Sequence, residues 1–333
     1  VTDLVHPDNA ALAALAARVV GLDIAGIDLV AEDISKPLLD QGGAIVEVNA
    51  GPSLLMHLKP AVGEPRPVGK SIVGHLFPEG QTGRIPIVGI TGSKGKTAVA
   101  RFLRHLTLLS GKYVALASSD GLFLDQRHVQ KTDASHWAPA RRVLLNRAVE
   151  LAIFENGARA ILGEGLAYDR CQVGVVTNLD PEEQHLDYAI DDHEMLYKVF
   201  RTQVDVILKG GAAVLNAADP QLVEMSELCD GEVIFFAASD ANPVVATHIG
   251  KGGRAVFARR EELILATGNT ETRLARLADV PTLRQGEEVF RLENALAAVA
   301  AGWALDFPLE LLAAGVKTFE QETQASPRRQ KKN

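Results

Sequence analysis

Two hydrophobic patterns alternate along most of this chain. Short apolar runs typical of buried strands, such as 85–90 and 151–154, are separated by stretches whose apolar residues recur at helical spacing. Further strands are expected at 113–117, 173–177, 206–208, 213–215 and 233–236. Helices are expected from about 99 and at 139–145, 191–204, 220–229 and 292–305, with hairpins at 121–129 and 255–266. This alternation predicts an α/β domain with a mainly parallel sheet covered on both faces.

The first 84 residues follow a different pattern. A helix is predicted over 10–20, capped by Thr2 or Asp3 and ended by Gly21, and strands are predicted over 26–30 and 44–49. The stretch 59–84 carries four prolines and several glycines. Because this composition breaks regular structure, it predicts an interdomain connection and a domain boundary near 58–84.

A glycine-rich loop joins the apolar run 85–90 to the following helix. The loop reads Thr91-Gly-Ser-Lys-Gly-Lys-Thr97. Strand, glycine-rich turn and helix in this order make a phosphate cradle, in which Lys96 reaches the phosphates and the Thr97 hydroxyl joins a Mg²⁺ shell. Ile90 stands where the strict P-loop pattern has its first glycine, and a Gly/Lys-rich surface turn is the alternative. The residues predicted to line bound ATP are Gly92, Ser93, Lys94, Gly95, Lys96, Thr97 and Ala98.

Two further polar residues follow predicted strands. Glu155 ends the strand 151–154, and His185 comes shortly after the strand 173–177. Ligands of parallel sheets gather at the carboxyl ends of the strands, so both side chains are expected near the phosphates held by Lys96. A carboxylate and an imidazole can ligate Mg²⁺ there and act in catalysis. A capping glutamate and a structural histidine are the alternatives, and the position relative to the loop favours catalysis.

A second set of oxygen ligands lies near the start of the chain. Glu47 and Asn49 share one face of a predicted strand, and Asp28 joins them if the two strands pair. Carboxylate and amide oxygens suit Mg²⁺. From the spacing alone, a polar strand face in water is the preferred interpretation.

The composition narrows the class of protein. The 333 residues are 47% apolar and 23% charged, as in globular proteins of one large or two modest domains. The net charge of −8 leaves no basic patch for nucleic acid. Two cysteines without C-x-x-C spacing indicate neither disulfides nor zinc, so a reducing cytoplasm is expected. The apolar stretches are shorter than the roughly 20 residues that span a bilayer, so no membrane association is expected.

Several stretches resemble the cyanophycin synthetase family in order and spacing. They are 46–57, 65–69, 85–97, 165–178, 214–217 and 294–298. The resemblance runs to about Phe319, and it implies the end of an ATP-grasp domain (1–58), a linker (59–84) and a Mur-ligase-like central ATP-binding domain (85–319), with a basic tail at 320–333. It implies an ATP- and Mg²⁺-dependent ligase that adds Asp and Arg to a polypeptide through an acyl phosphate.

The resemblance also implies roles for single residues. Asn216 matches an adenine-side position and Asn294 matches another motif asparagine of the nucleotide site. Lys96, Glu155 and His185 match catalytic or metal-binding positions, and Asp28, Glu47 and Asn49 match the ATP-grasp Mg²⁺ positions. Amino acids and an Asp/Arg-containing polypeptide are the implied partners. A homo-oligomer is left open.

Some motifs depart from the family pattern. The family's Glu-Thr-Ala-Arg-Gly-Gly stands here as Glu155-Asn-Gly-Ala-Arg-Ala160, so the arginine is displaced by one position. Its Asp-His-Leu-Gly is Gln184-His-Leu-Asp187, and the His-Asn before Asn294 has become Phe290 and Arg291. The sequence holds no third Mur domain and little of the ATP-grasp domain. We therefore expect a partial enzyme with little ligase activity alone; the alternatives are an impaired ATP- or polymer-binding remnant and an unrelated P-loop ATPase or kinase.

Overall fold

The computed structural model describes residues 2–285 and 288–320. The chain divides into two compact units, Val1–Arg84 and Ile85–Asn333. Most of the predicted basic tail, from 321 onwards, lies outside the described residues.

Among its described residues, the first unit has three α-helices and one strand pair. In chain order these elements are α1 (Pro7–Val20), β1 (Gly26–Val30), β2 (Ala44–Asn49), α2 (Leu55–Leu58) and α3 (Val68–Leu76). Strands β1 and β2 are antiparallel, with Asp28 opposite Glu47 and Gly26 opposite Asn49. Both strands have the bounds that the sequence predicts.

The predicted cap of the first helix is wrong. His6, not Thr2 or Asp3, precedes α1, and its Nδ1 accepts a hydrogen bond from the Asp8 amide at 3.2 Å. Pro7 then occupies the first helical turn, where its missing N–H removes no helical bond. Gly21 ends the helix in the left-handed conformation with φ 84°, as predicted.

The predicted connection contains regular structure. Helix α3 lies within 59–84, directly after Pro67. The nine residues of this helix contain no proline, and the prolines that precede it do not interrupt its hydrogen bonds. The inference that proline content excludes regular structure here was therefore wrong.

The second unit is an α/β domain. Its strands are β3 (Ile87–Thr91), β4 (Val114–Ser118), β5 (Gly121–Leu124), β6 (Arg127–Gln130), β7 (Leu151–Glu155), β8 (Cys171–Val176), β9 (Ile207–Asn216), β10 (Glu232–Ala237), β11 (Arg254–Arg259), β12 (Glu262–Thr267) and β13 (Thr270–Arg276). Its helices are α4 (Lys96–Leu109), α5 (Trp137–Leu144), α6 (Ala158–Gly163), α7 (His193–Asp205), α8 (Pro220–Met225), α9 (Pro243–Gly250), α10 (Glu288–Ala304) and α11 (Leu309–Thr318).

All the strands of the second unit join one sheet. Their order is β13-β12-β11-β10-β9-β8-β3-β7-β4-β5-β6. The strands from β11 to β4 in this order are parallel, and the hairpins at the two ends are antiparallel. The prediction of a mainly parallel sheet is confirmed. Strand β3, which leads into the glycine-rich loop, lies between β8 and β7 near the middle.

Apolar side chains cover both faces of this sheet. Successive strand residues point to opposite faces, and accordingly Leu151 and Ile153 join one buried cluster while Ala152 and Phe154 join the other. Helices α4, α10 and α11 cover the first face, and α5, α7, α8 and α9 cover the second. The sheet therefore holds the ends of its central strands rigidly in register. Among the described residues, no helix combines the length and apolar character that crossing a bilayer requires.

Candidate functional site

The site lies where five central strands end. The glycine-rich loop follows β3, Ser119 follows β4, Glu155 ends β7, Asn178 follows β8, and Asn216 ends β9. Parallel strands bring these carboxyl ends to one edge of the sheet, which is where such folds bind ligands.

The loop presents free backbone donors. Helix α4 begins at Lys96, after Gly95 in the left-handed conformation with φ 88°, and no side chain caps it. Within the described residues, the N–H groups of Gly95, Lys96, Thr97 and Ala98 have no hydrogen-bond acceptor. Unpaired donors at a helix start, together with the helix dipole, bind anions such as phosphate.

Asn294 closes the loop from the side of α10. This asparagine is 8% exposed, and a Cβ added at Gly95 would lie 2.1 Å from its Oδ1. Glycine is therefore required at 95 both by its φ and by this close approach. The structure thus places Asn294 directly against the phosphate loop.

The residues that follow β8 hold the loop through hydrogen bonds. The Asn178 side chain accepts from the Lys94 amide and donates to the Lys94 carbonyl, both at 3.0 Å. Its carbonyl accepts from the Ser93 amide at 3.0 Å, and Thr177 Oγ1 donates to the Lys94 carbonyl at 2.6 Å. These bonds fix the loop before any ligand binds. The Lys94 ammonium itself is paired with Asp180 at 2.7 Å.

Lys96 is held inside the loop. Its ammonium donates to the Gly92 carbonyl at 2.8 Å and to the Ser93 carbonyl at 3.1 Å. Burial lowers the pKa of Lys96, and the carboxylates of Glu155 and Glu183 oppose this change. The ammonium group is therefore held on carbonyls of the loop, in the same loop as the unpaired N–H groups, where an anion can reach it.

Thr97, Glu155 and Ser119 form the second part of the site. The Thr97 hydroxyl lies 3.0 Å from each Glu155 carboxylate oxygen and 3.0 Å from the Ser119 hydroxyl. Glu155, 5% exposed, also accepts from the Ser119 amide at 3.0 Å. Ser119 is a residue that the sequence reasoning missed, although its position after β4 marks the same sheet edge.

His185 is paired with another missed residue, Glu183. His185 Nε2 lies 2.8 Å from Glu183 Oε1. Both remaining atoms, His185 Nδ1 and Glu183 Oε2, are buried without a hydrogen-bond partner in the described part of the chain. Buried polar atoms are costly to leave unpaired, so these two are open positions for a cation or a polar substrate.

Asn216 lies at the end of β9. It is 4% exposed, its Oδ1 accepts from the Ala218 amide at 3.0 Å, and its Nδ2 donates to the Thr177 carbonyl at 3.4 Å. Burial raises the pKa of the neighbouring Glu293, and the Asn216 side chain lowers it in part. Asn216 is thus mainly committed to protein partners.

The predicted cation ligands of the first unit share one strand face. Asp28 and Glu47 are cross-strand neighbours and exposed, and Asn49 is half-buried on the same face as Glu47. The observed register brings these side chains to one face, as predicted. The same register is expected of a polar strand face that is exposed to water, which is the alternative interpretation.

The oxygen atoms around Thr97 fit Mg²⁺. A hydroxyl and a carboxylate are hard ligands, and Mg²⁺ in nucleotide sites takes its remaining ligands from phosphates and water. Across the described residues, there is no group of three or more His, Cys, Asp or Glu side chains that could hold a metal ion without further ligands. Thr97 and Glu155 would therefore hold Mg²⁺ only together with a nucleotide. The unpaired atoms of His185 and Glu183 are further polar atoms that a bound ligand could contact.

An open cleft of about 590 Å³ adjoins the loop. Its lining includes Lys96, Glu183, His185 and Arg159, and the start of α6. The cleft is open beside the loop, so a ligand in it would lie next to Lys96.

Comparisons with known proteins agree with this geometry. Residues 90–302 match the Mur ligase middle domain. Cyanophycin synthetases of Geminocystis herdmanii and of a Synechocystis species are 37% and 38% identical over 329 residues. These matches cover 98% of this chain but only 37% and 38% of those proteins, so the chain spans little more than a third of their length.

A solved structure shares the fold. It is a UDP-N-acetylmuramoyl-L-alanyl-D-glutamate–2,6-diaminopimelate ligase with a TM-score of 0.54 and 15% identity, over 71% of this chain and 46% of that one. The predicted Mur-ligase fold and the predicted resemblance are both confirmed. The chain belongs to the Mur ligase family through its middle domain, and nearly all of it is similar to a region of the cyanophycin synthetases.

Proposed function

We propose that this chain is the nucleotide-binding part of an ATP-dependent ligase of the cyanophycin synthetase type. The observation that carries the proposal is the Thr97 hydroxyl, 3.0 Å from both oxygens of Glu155, beside the free N–H groups of the loop. This is the arrangement that holds Mg²⁺ and a nucleotide triphosphate together. The relatives, which are ligases that form carbon–nitrogen bonds, support the reaction class.

Some residues of the site would bind the phosphates, and others would bind the metal ion. The N–H groups of Gly95 to Ala98 receive phosphate oxygens, and the Lys96 ammonium turns from the Gly92 and Ser93 carbonyls to the phosphates. Bound Mg²⁺ would neutralise charge on the β- and γ-phosphates. Glu155 and Thr97 would hold the metal ion, and the hydrogen bonds of Asn178 to Lys94 keep the loop in place.

The reaction then follows in two steps. A carboxylate oxygen of the polypeptide attacks the γ-phosphorus of ATP, the bond to the bridging oxygen breaks, and ADP leaves. The amine of the incoming amino acid attacks the resulting acyl phosphate, phosphate leaves with the bonding electron pair, and the amine loses one proton. The polypeptide approaches through the cleft beside Lys96 and His185.

The finer assignments belong to the same proposal. We assign Asp and Arg as the added amino acids and an Asp/Arg polypeptide as the acceptor, because the similarity to cyanophycin synthetases extends over 98% of the chain. Residues 1–58 are proposed as the end of an ATP-grasp domain with Asp28, Glu47 and Asn49 toward Mg²⁺, residues 59–84 as a linker, and residues 85–319 as the ATP-binding domain. Asn216 is proposed on the adenine side of the nucleotide, and Asn294 is proposed beside the phosphates, where it contacts Gly95.

A titration with a fluorescent ATP analogue tests the proposal. Lys96→Ala should weaken Mg²⁺-dependent binding about 10- to 100-fold, because one charge-assisted contact to phosphate contributes roughly 1.5–3 kcal/mol. Lys198→Ala is the matched control, since Lys198 pairs with Glu194 on α7. Equal binding by the wild type and Lys96→Ala would refute the role of the loop.

Release of ADP distinguishes a working enzyme from a remnant. Hydrolysis or ligation that depends on both arginine and an Asp/Arg polypeptide supports the ligase. Nucleotide binding without any such turnover is the result expected both of a partial enzyme and of an impaired ATP-binding remnant.

A further inference from the structure

Three buried polar side chains meet beneath the phosphate loop. Asn156 Nδ2 donates to Tyr168 Oη at 2.8 Å and to Gln203 Oε1 at 2.9 Å, and the Tyr168 hydroxyl donates to Gln203 Oε1 at 2.8 Å. Asn156 is 9% exposed, Tyr168 8% and Gln203 fully buried. Burial raises the pKa of Tyr168, so its hydroxyl keeps the proton that it donates. We refer to these three residues as the buried triad.

The buried triad comes from three separate parts of the fold. Asn156 follows β7, Tyr168 precedes β8, and Gln203 lies on α7. A Cβ added at Gly89, in β3, would lie 2.0 Å from the Tyr168 hydroxyl and 2.3 Å from Gln203 Oε1. Glycine at 89 thus lets the triad reach the strand that carries the phosphate loop.

The backbone of Asn156 is tied to the same strand. Its N–H donates to the Ile90 carbonyl at 2.8 Å, and its carbonyl accepts from Thr91 Oγ1 at 2.7 Å. Both the main chain and the side chain of Asn156 are therefore fixed at the point where β3 becomes the loop.

Asn156 is also the residue next to Glu155. A rotation of the peptide that joins them would move the Glu155 carboxylate away from the Thr97 hydroxyl, which it contacts with both oxygens. A buried polar network is less stabilising than apolar packing unless every member is satisfied, but it selects one geometry. The buried triad satisfies Asn156 with two acceptors, so its effect is to hold one orientation at the end of β7.

We propose that Asn156, held by Tyr168 and Gln203, is a positioning residue that sets Glu155 for the metal-bound nucleotide. The proposal rests on the proposed nucleotide site. According to this proposal, the buried triad affects only the part of the nucleotide affinity that depends on Mg²⁺. The contacts between the loop N–H groups and the phosphates do not depend on the triad.

The experiment measures the affinity for a fluorescent ATP analogue, once with Mg²⁺ and once with EDTA. Asn156→Ala removes the side chain that the triad holds, and Tyr168→Phe removes only one hydroxyl and keeps the ring stacked on Phe154. Where the groups that hold a metal ligand in place are lost, metal affinity falls about 10- to 100-fold, and Asn156 is argued to act on Glu155 in this way through the main chain. The affinity gain from Mg²⁺ should therefore fall about tenfold or more in Asn156→Ala and by a smaller factor in Tyr168→Phe, with unchanged affinity in EDTA.

Thr107→Val is the matched control for a buried hydroxyl. Thr107 is fully buried and donates to the Leu103 carbonyl within α4 at 2.8 Å, away from the triad. This variant should be destabilised in urea and keep the full gain from Mg²⁺. If Mg²⁺ increases the nucleotide affinity of both triad variants as much as that of the wild type, the inference about the triad is overturned, while the proposed function stands. A wild type that binds no nucleotide overturns the proposed function and the inference with it.

Discussion

The contact between Gly95 and Asn294 can be tested by one methyl group. Gly95→Ala places a Cβ 2.1 Å from Asn294 Oδ1, in a backbone with φ 88°. The matched control is Gly111→Ala, which has a similar φ of 77° just beyond the end of α4, with no heavy atom within 4 Å of the added Cβ. Both variants carry the strain of an alanine at positive φ, but only in Gly95→Ala does the added Cβ overlap another atom, Asn294 Oδ1.

The expected magnitudes follow from these two effects. An alanine in the left-handed region costs roughly 1–2 kcal/mol, offset in part by the smaller entropy of the unfolded chain. Overpacking against the buried Asn294 side chain adds about 1–3 kcal/mol, because its amide oxygen must move away from the added methyl group. Gly95→Ala should therefore be less stable than Gly111→Ala by about 1–3 kcal/mol.

Urea unfolding followed by tryptophan fluorescence measures this difference. Both tryptophans, Trp137 and Trp303, belong to the second unit, so the signal reports on the domain that holds the loop. The double variant Gly95→Ala/Asn294→Ala removes the overlapping oxygen and should recover part of the stability but not the affinity for the ATP analogue. Equal stability of the two glycine variants, with no coupling between 95 and 294, would contradict the described contact.

Three other predictions concern stability and reactivity. Leu106→Ala removes a fully buried side chain between α4, α10 and α11 and should destabilise the second unit by about 2–5 kcal/mol in the same urea assay; a loss below 1 kcal/mol would contradict the packing. Burial raises the pKa of Cys171 to about 12, so its thiol stays protonated at pH 8 and iodoacetamide should label it only after unfolding, as peptide mass spectrometry can show. Burial, with Arg104 beside it, lowers the pKa of His105, so the folded state resists its protonation and stability should fall as the pH drops below about 6.5. His105→Gln should reduce that slope; an unchanged slope would show that other groups cause it.

Local patterns were sufficient for much of the site. The apolar run, the glycines and the helical spacing around 85–106 predict a strand, loop and helix, and the structure has β3 and α4 there. Glu155 could be located because the carboxyl ends of parallel strands meet at one edge. These features depend on residues that are close together in the sequence, so they can be recognised from one sequence.

Other elements were decided by distant contacts. The sequence predicts two short strands at 206–208 and 213–215, but β9 is one strand, Ile207–Asn216. It pairs with β8 before and after a register shift, and with β10 from Ala212 onwards. Helix α9 reads Pro-Val-Val-Ala-Thr-His-Ile-Gly, which is rich in β-branched residues, yet it is helical behind an Asn242 cap. Helix α6, strand β13 and helix α11 were also missed, since packing against the sheet outweighs their weak local signals.

The sequence by itself determined the family, the phosphate loop and the edge of the sheet where ligands bind, because these follow from motif and periodicity. Only the tertiary structure decided that Asn294 closes the loop, that Glu183 pairs with His185, and that the buried triad lies beneath Gly89. Each of these contacts joins residues on different strands and helices. Their distances depend on how the helices pack on the sheet, and no local pattern carries that information.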